Sequence, residues 1–163
     1  MITHSQARSM AEARWGRGGT RSTKTNRTGA FYFSCSGHGG FVIDARCLSA
    51  EERARIEKYI APEQATEVYR VEDNRVVKFR GPDSFRTLKY YSGSQSTRQV
   101  EIFFAEEDCD WAVPGVLAGI FAKGAEYDEA LASFIKWQKP SNHEILALNA
   151  QRLDLVSDQA IAA

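Results

Sequence analysis

The chain has 163 residues, of which 43% are hydrophobic and 26% are charged, and its formal net charge at pH 7 is zero. A chain of this length and composition can bury one hydrophobic core, so we expect a single domain. It has no apolar run of about 18 residues and no apolar segment near its N-terminus, which argues against a membrane span and a secretory signal. The sequence therefore predicts a cytoplasmic protein that makes no membrane contact.

The basic residues are concentrated at the N-terminus. Residues 1–29 contain one acidic residue, Glu12, and the basic residues Arg8, Arg14, Arg17, Arg21, Lys24 and Arg27. The rest of this neutral chain therefore carries a net charge of about −5. Because residues 1–29 are rich in Gly, Ser and Thr and poor in apolar residues, we expect a flexible basic arm there and a folded domain over 30–163. A basic arm of this kind can make a weak nucleic-acid contact.

The first predicted elements are a β-hairpin and a helix. An aromatic-rich strand over 30–35 and a second strand over 41–44 flank the glycine-rich turn 36–40. The capping box that Ser49 and Glu52 form starts a helix that ends near Tyr59. Further strands, separated by turn-forming residues, are predicted over 65–71, 75–79, 85–91 and 98–105.

The C-terminal part of the chain reads as helical. We expect a helix over 107–121, an amphipathic helix over 127–137, and a short helix that starts at the capping box of Ser141 and Glu144. This order of elements predicts an α+β fold: an antiparallel sheet of about five to six strands with three to four helices packed on one side, in a single domain.

Two short segments contain most of the reactive side chains, Cys-Ser-Gly-His-Gly-Gly at 35–40 and Glu-Glu-Asp-Cys-Asp-Trp at 106–111. Each follows an apolar strand, so His38 and Cys109 can form a thiolate–imidazole pair. The two segments resemble the His and Cys segments of clan CD cysteine peptidases, the caspase and legumain group. That resemblance implies a thiol hydrolase that uses Cys109 and His38. Asp108 and Asp110 work against it, because neighbouring negative charge raises the pKa of a thiol.

Structural roles explain the same residues without catalysis. His38 and the neighbouring glycines suit a tight turn, Trp111 suits a core anchor, and isolated cysteines are commonly buried as small hydrophobes. A zinc site would require separate segments to converge, with ligands from Cys35, His38, Cys109 and His143. We therefore expect no metal and no cofactor.

An acidic surface is the other hypothesis for this region. The segment at 106–111 and the start of the helix near residue 127 supply carboxylates that can form one anionic face. These residues are Glu106, Glu107, Asp108, Asp110, Glu126, Asp128 and Glu129. Such a face can occupy a positively charged nucleic-acid groove, because complementary potentials speed association and select partners.

Trp15-Gly16, the turn at 36–41, the segment at 106–112 and Trp137 together resemble an uncharacterised domain family of bacterial mobile elements, including plasmids and phages. The similarity covers residues 15 to 140. The resemblance implies an accessory or anti-defence protein, such as an anti-CRISPR protein, in the cytoplasm of a bacterial host. Such a protein binds and inhibits a host protein or ribonucleoprotein complex. The expected contact residues are the acidic residues above together with Trp111 and His38.

Overall fold

A computed structural model describes residues 1–16, 21–23, 25–61, 65–72, 75–79, 97–106, 110–121 and 124–150. The predicted α+β class is confirmed, since an antiparallel six-stranded sheet packs against helices. The strands are β1 (Arg21–Thr23), β2 (Ala30–Cys35), β3 (His38–Asp44), β4 (Thr66–Glu72), β5 (Arg75–Phe79) and β6 (Thr97–Glu106). The helices are α1 (His4–Trp15), α2 (Ala50–Glu57), α3 (Ala112–Leu117), α4 (Ala125–Gln138) and α5 (142–150), with a 3-10 turn at Ala45–Cys47.

The strand order across the sheet is β1-β2-β3-β6-β4-β5. β6 therefore lies between two local hairpins, β2–β3 and β4–β5, and pairs with β3 on one side and β4 on the other. The predicted first hairpin is confirmed, with a shorter turn than expected. Cys35 pairs with His38, so Ser36 and Gly37 form the turn, and the two glycines that follow His38 are already part of β3.

One face of the sheet carries the larger part of the core. Alternate residues of β3 and β6 point to this face, among them Phe41, Ile43, Phe103 and Ala105, all of which are buried. They pack with buried residues of α2, α3 and α4, and we call this the α2–α4 face. The sequence predicts α2 from its capping box and α4 from its amphipathic pattern, and both helices are present.

The opposite face is covered by α1, and we call it the α1 face. Ala7 and Met10 of α1 are fully buried against a sheet surface that includes Phe33, Val42 and Phe104. The expectation of a flexible arm is therefore wrong for this helix, and the folded part of the chain begins well before residue 30. The physical reason is tertiary, since the helix has few apolar residues of its own but the second face of the sheet has to be covered.

Local hydrogen bonds fix the start of α1. Thr3 and Gln6 form a capping box, in which the Thr3 hydroxyl accepts from the Gln6 N–H and the Gln6 side chain accepts from the Thr3 N–H. The N–H of Ile2 donates to the buried carboxylate of Asp44 at 2.9 Å. The capping box starts the helix, and the Ile2–Asp44 hydrogen bond attaches the N-terminal residues to β3.

The other predicted elements are placed as follows. The capping boxes at Ser49 and Ser141 are present, and they begin α2 and α5. The predicted helix over 107–121 is shorter in the described residues, where only α3 lies within it. The strand predicted over 85–91 lies outside the described residues. Among the described helices, none is both long and apolar enough to cross a membrane.

Candidate functional site

The neighbouring ends of β3 and β6 bring the two chemically unusual segments together. Gly40 of β3 pairs with Glu106 of β6, so the strand that begins at His38 lies beside the strand that ends just before residues 107–111. Gly40 has a φ of 141°, and a Cβ placed on it would lie 2.0 Å from the carbonyl oxygen of Ala105. Glycine is therefore required for β3 to approach β6 this closely. Glu107, Asp108 and Cys109 lie outside the described residues.

The cysteines that the structure describes have structural surroundings. The thiol of Cys35 donates to the backbone carbonyl of His38 at 3.0 Å, across the end of the hairpin, and the His38 side chain is exposed. Burial raises the pKa of the Cys47 thiol to about 11, so this thiol stays protonated at neutral pH. The surroundings of Cys47 therefore do not activate its thiol.

Glu106 is bonded to the N-terminal helix. The guanidinium of Arg14 donates to the same Glu106 carboxylate oxygen through two nitrogens, at 2.8 and 3.2 Å, and to Glu67 at 2.8 Å. Burial alone lowers the pKa of Arg14, but the hydrogen bonds and charges of the two glutamates outweigh it and hold that pKa above its ordinary value. The Tyr69 hydroxyl donates to the other oxygen of Glu67 at 2.7 Å. Glu106 thus joins α1 to the sheet.

Trp111 lies on the other side of the sheet from Glu106. Its ring packs edge-on against Tyr32 and Phe121, with ring centroids 6.2 and 5.7 Å apart, and it borders the core of the α2–α4 face. The N–H of Asp110 donates to the backbone carbonyl of Glu106 at 3.0 Å. The acidic segment therefore does not present Glu106 and Trp111 as one surface.

The remaining predicted acidic residues are exposed on the first turns of α4. Glu126, Asp128 and Glu129 are all exposed, and we call these three residues the α4 acidic surface. Gly124 at the N-cap has no side chain to cap the helix. The carboxylates in the first turn interact favourably with the positive end of the helix dipole. α4 belongs to the α2–α4 face, as does Trp111.

The basic residues of the N-terminal segment divide into two groups. Arg14 is paired as described, and Arg27 donates to both carboxylate oxygens of Glu52 at 2.7 and 2.8 Å. Arg8 and Arg21 are exposed, whereas Arg17 and Lys24 lie outside the described residues. The predicted nucleic-acid contact of this segment consequently has fewer available charges than the sequence indicates.

The sequence places Arg14 in a basic arm and does not predict its pairing with Glu67 and Glu106. The sequence does contain a signal for α1, the helix that carries Arg14, because Thr3 and Gln6 have the capping-box spacing that marks a helix start. Its partner Glu106 is 92 positions away in the chain, and no local pattern connects the two.

Comparison with known proteins gives no match, neither to a family model, nor to a curated protein, nor to a solved structure. In the part of the chain that the structure describes, no group of three or more His, Cys, Asp and Glu residues is placed to hold a metal ion. The resemblance to the mobile-element family stays a prediction.

Proposed function

We propose that this protein binds a host protein or ribonucleoprotein complex that handles nucleic acid, and that it inhibits this complex as an anti-CRISPR protein does. The observation that supports this proposal most is the α4 acidic surface, in which Glu126, Asp128 and Glu129 lie exposed at one end of a helix. Because Glu106 is bonded to Arg14, we assign the main contact to this surface rather than to the segment at 106–111.

Electrostatics explains how such a surface inhibits. A nucleic-acid groove is lined with Lys and Arg, and its long-range positive potential attracts an anionic surface before contact is made. Three carboxylates at one end of α4, a helix that packs against α3, present that charge together. The inhibitor then excludes nucleic acid by occupying the groove, and its binding weakens as salt concentration rises.

The test is a phage-plating assay in bacterial hosts that each carry one defined CRISPR system targeting the phage. Expression of the wild-type protein should restore plaque formation in at least one host. The double variant Glu126→Lys/Glu129→Lys should reduce this restoration by at least about tenfold, because like charges then meet at the groove. The matched control, Glu12→Lys/Glu51→Lys, changes the net charge equally on α1 and α2 and should retain the activity.

Two outcomes contradict the proposal. Restoration in none of the hosts removes the anti-CRISPR assignment. Equal loss in both double variants shows that net charge, and not the α4 acidic surface, matters.

A thiol hydrolase is the second candidate, and the pairing of β3 with β6 favours it. This pairing places the strand that carries His38 next to the strand that leads towards Cys109. The same plating assay with Cys109→Ala and His38→Ala separates the two functions. Inhibition by binding retains activity in both variants, whereas a hydrolase loses activity in both.

A further inference from the structure

A small cavity of about 120 Å³ lies between α2, α3 and α5. Its walls combine apolar groups with a few charged ones, and none of the three residues of the α4 acidic surface contributes to them. The residues that line it are Arg55, Lys58, Tyr59, Leu117, Glu144, Ala147 and Leu148.

Among the described residues that line this cavity, only Glu144 has a carboxylate, and this carboxylate already has ion-pair and hydrogen-bond partners. Lys58 forms an ion pair with Glu144, and the Tyr59 hydroxyl donates to the same carboxylate at 2.7 Å. The Ser141 N–H and hydroxyl donate to its other oxygen at 2.9 and 2.7 Å. Glu144 thus has its partners, and it joins α5 to the end of α2.

Arg55 has no such partner in the described part of the chain. Its Nε atom is buried and makes no hydrogen bond, and none of the described ion pairs includes it. Arg53, two residues earlier in α2, has two carboxylate partners in Glu57 and Glu101. Because a buried donor without an acceptor is unfavourable, an acceptor at the guanidinium of Arg55 that reached its Nε–H would be stabilising.

The walls beside Arg55 define the rest of the ligand. Leu117 of α3 and Leu148 of α5 are buried, and the ring of Tyr59 packs edge-on against Phe134 at 5.0 Å between ring centroids. A ligand at Arg55 therefore meets a planar, charged donor group at one end and hydrocarbon along its length. A guanidinium binds carboxylates with paired parallel hydrogen bonds, which suits one small acid.

We propose that this cavity binds a small carboxylic acid with an apolar body. The carboxylate pairs with Arg55, and the apolar part lies against Leu117 and Leu148. The volume is well below the roughly 300–1,000 Å³ of sites for drug-sized ligands, so the ligand is a short aliphatic acid or a single-ring acid.

Titration with hexanoate and with benzoate tests this site, followed by NMR of the methyl groups of Leu117, Ala147 and Leu148. We expect saturable shifts of these methyl signals with either acid, and no comparable shifts with hexanol, which lacks the charge. Arg55→Gln should weaken binding by at least about tenfold, because a charge-assisted hydrogen bond is lost. Arg8→Gln removes the same charge from an exposed position on α1 and should leave the affinity unchanged.

Arg55→Lys provides a second measurement if the glutamine variant does not fold. It retains the charge without the planar fork, and its affinity should fall between those of the wild type and Arg55→Gln. The proposal is overturned if neither acid shifts these signals up to about 10 mM, a concentration that detects even millimolar affinity. It is equally overturned if hexanol binds as well as hexanoate, or if a folded Arg55→Lys binds as well as the wild type.

Discussion

On the α1 face, charged residues join the N-terminal helix to the sheet, as the contacts of Arg14 with Glu67 and Glu106 show. On the α2–α4 face, Glu126 and Glu129 of α4 are instead exposed to solvent. Glu67, Glu106, Glu126 and Glu129 each have charged residues near them in the sequence. The sequence around them therefore does not distinguish the paired glutamates from the exposed ones. What distinguishes Glu67 and Glu106 is that Arg14, from a distant part of the chain, lies within hydrogen-bond distance of both, and no such ion pair of Glu126 or Glu129 is found among the described residues.

This difference predicts which residues stabilise the fold and which residues bind a partner. Changes on the α1 face and in the sheet should lower the free energy of unfolding, whereas changes on the α4 acidic surface should leave the fold intact and affect partner binding. Each of the following variants tests one part of that division.

The largest effect is expected for Gly40→Ala, since the β3–β6 pair supports both faces. A methyl group there would lie 2.0 Å from the Ala105 carbonyl oxygen, so the two strands would have to separate. We expect a loss of about 3 kcal/mol or more in the free energy of unfolding, measured by urea denaturation. Gly119→Ala is the control, because Gly119 has a φ of 57° but nothing within 4 Å of an added Cβ. That control should cost only about 1 kcal/mol. Equal losses in the two variants would contradict the close approach.

The next effect concerns the α1 face alone. Met10 is fully buried in α1, so Met10→Ala should lower the free energy of unfolding by about 2–4 kcal/mol through lost burial and a cavity. Arg8→Ala, at an exposed position of the same helix, should change it by less than about 0.5 kcal/mol. Urea denaturation of both variants measures the difference. A flexible N-terminal segment would instead give two small and similar effects.

The smallest effect is on the pH dependence of stability. The hydrogen bonds from Arg27 lower the pKa of Glu52 to about 2, against opposition from burial. The ion pair therefore contributes fully above the ordinary carboxyl pKa of about 4.3 and is lost as the pH falls towards 2. Glu52→Gln should cost about 1 kcal/mol or less at pH 7 and should flatten the loss of stability between about pH 5 and pH 2.

Glu51→Gln is the matched control for that experiment. Glu51 is the exposed neighbour of Glu52 on α2. Its replacement should leave the decrease of the urea midpoint at acidic pH as it is in the wild type. If both variants show the wild-type pH dependence, the Arg27–Glu52 pair does not contribute to stability in solution.

The elements that the sequence predicts correctly depend on neighbours in the chain. The turn before His38 and the capping boxes at Ser49 and Ser141 are formed by residues a few positions apart, and the alternation of β6 is visible in its own residues. Such short-range signals require no knowledge of the tertiary fold.

The parts that the sequence does not predict depend on distant contacts. α1 is buried mainly through alanines and Met10, which form a weak apolar pattern, and its burial comes from the second face of the sheet. The separation of Glu106 from Trp111 follows from the strand alternation of β6, which continues to its last residue. The pairing of Glu106 with Gly40 of β3 shows this continuation. Arg14, which forms the ion pair with Glu106, lies near the N-terminus, far from Glu106 in the sequence.

The central position of β6 has a consequence for the order of folding. The hairpins β2–β3 and β4–β5 join residues close in the chain and can form early, but the sheet is complete only when Thr97–Glu106 inserts between them. Non-local pairing of this kind is slow compared with hairpin formation. Until that insertion, one edge of β3 and one edge of β4 have unpaired backbone groups, and each edge is open to strands of a second molecule.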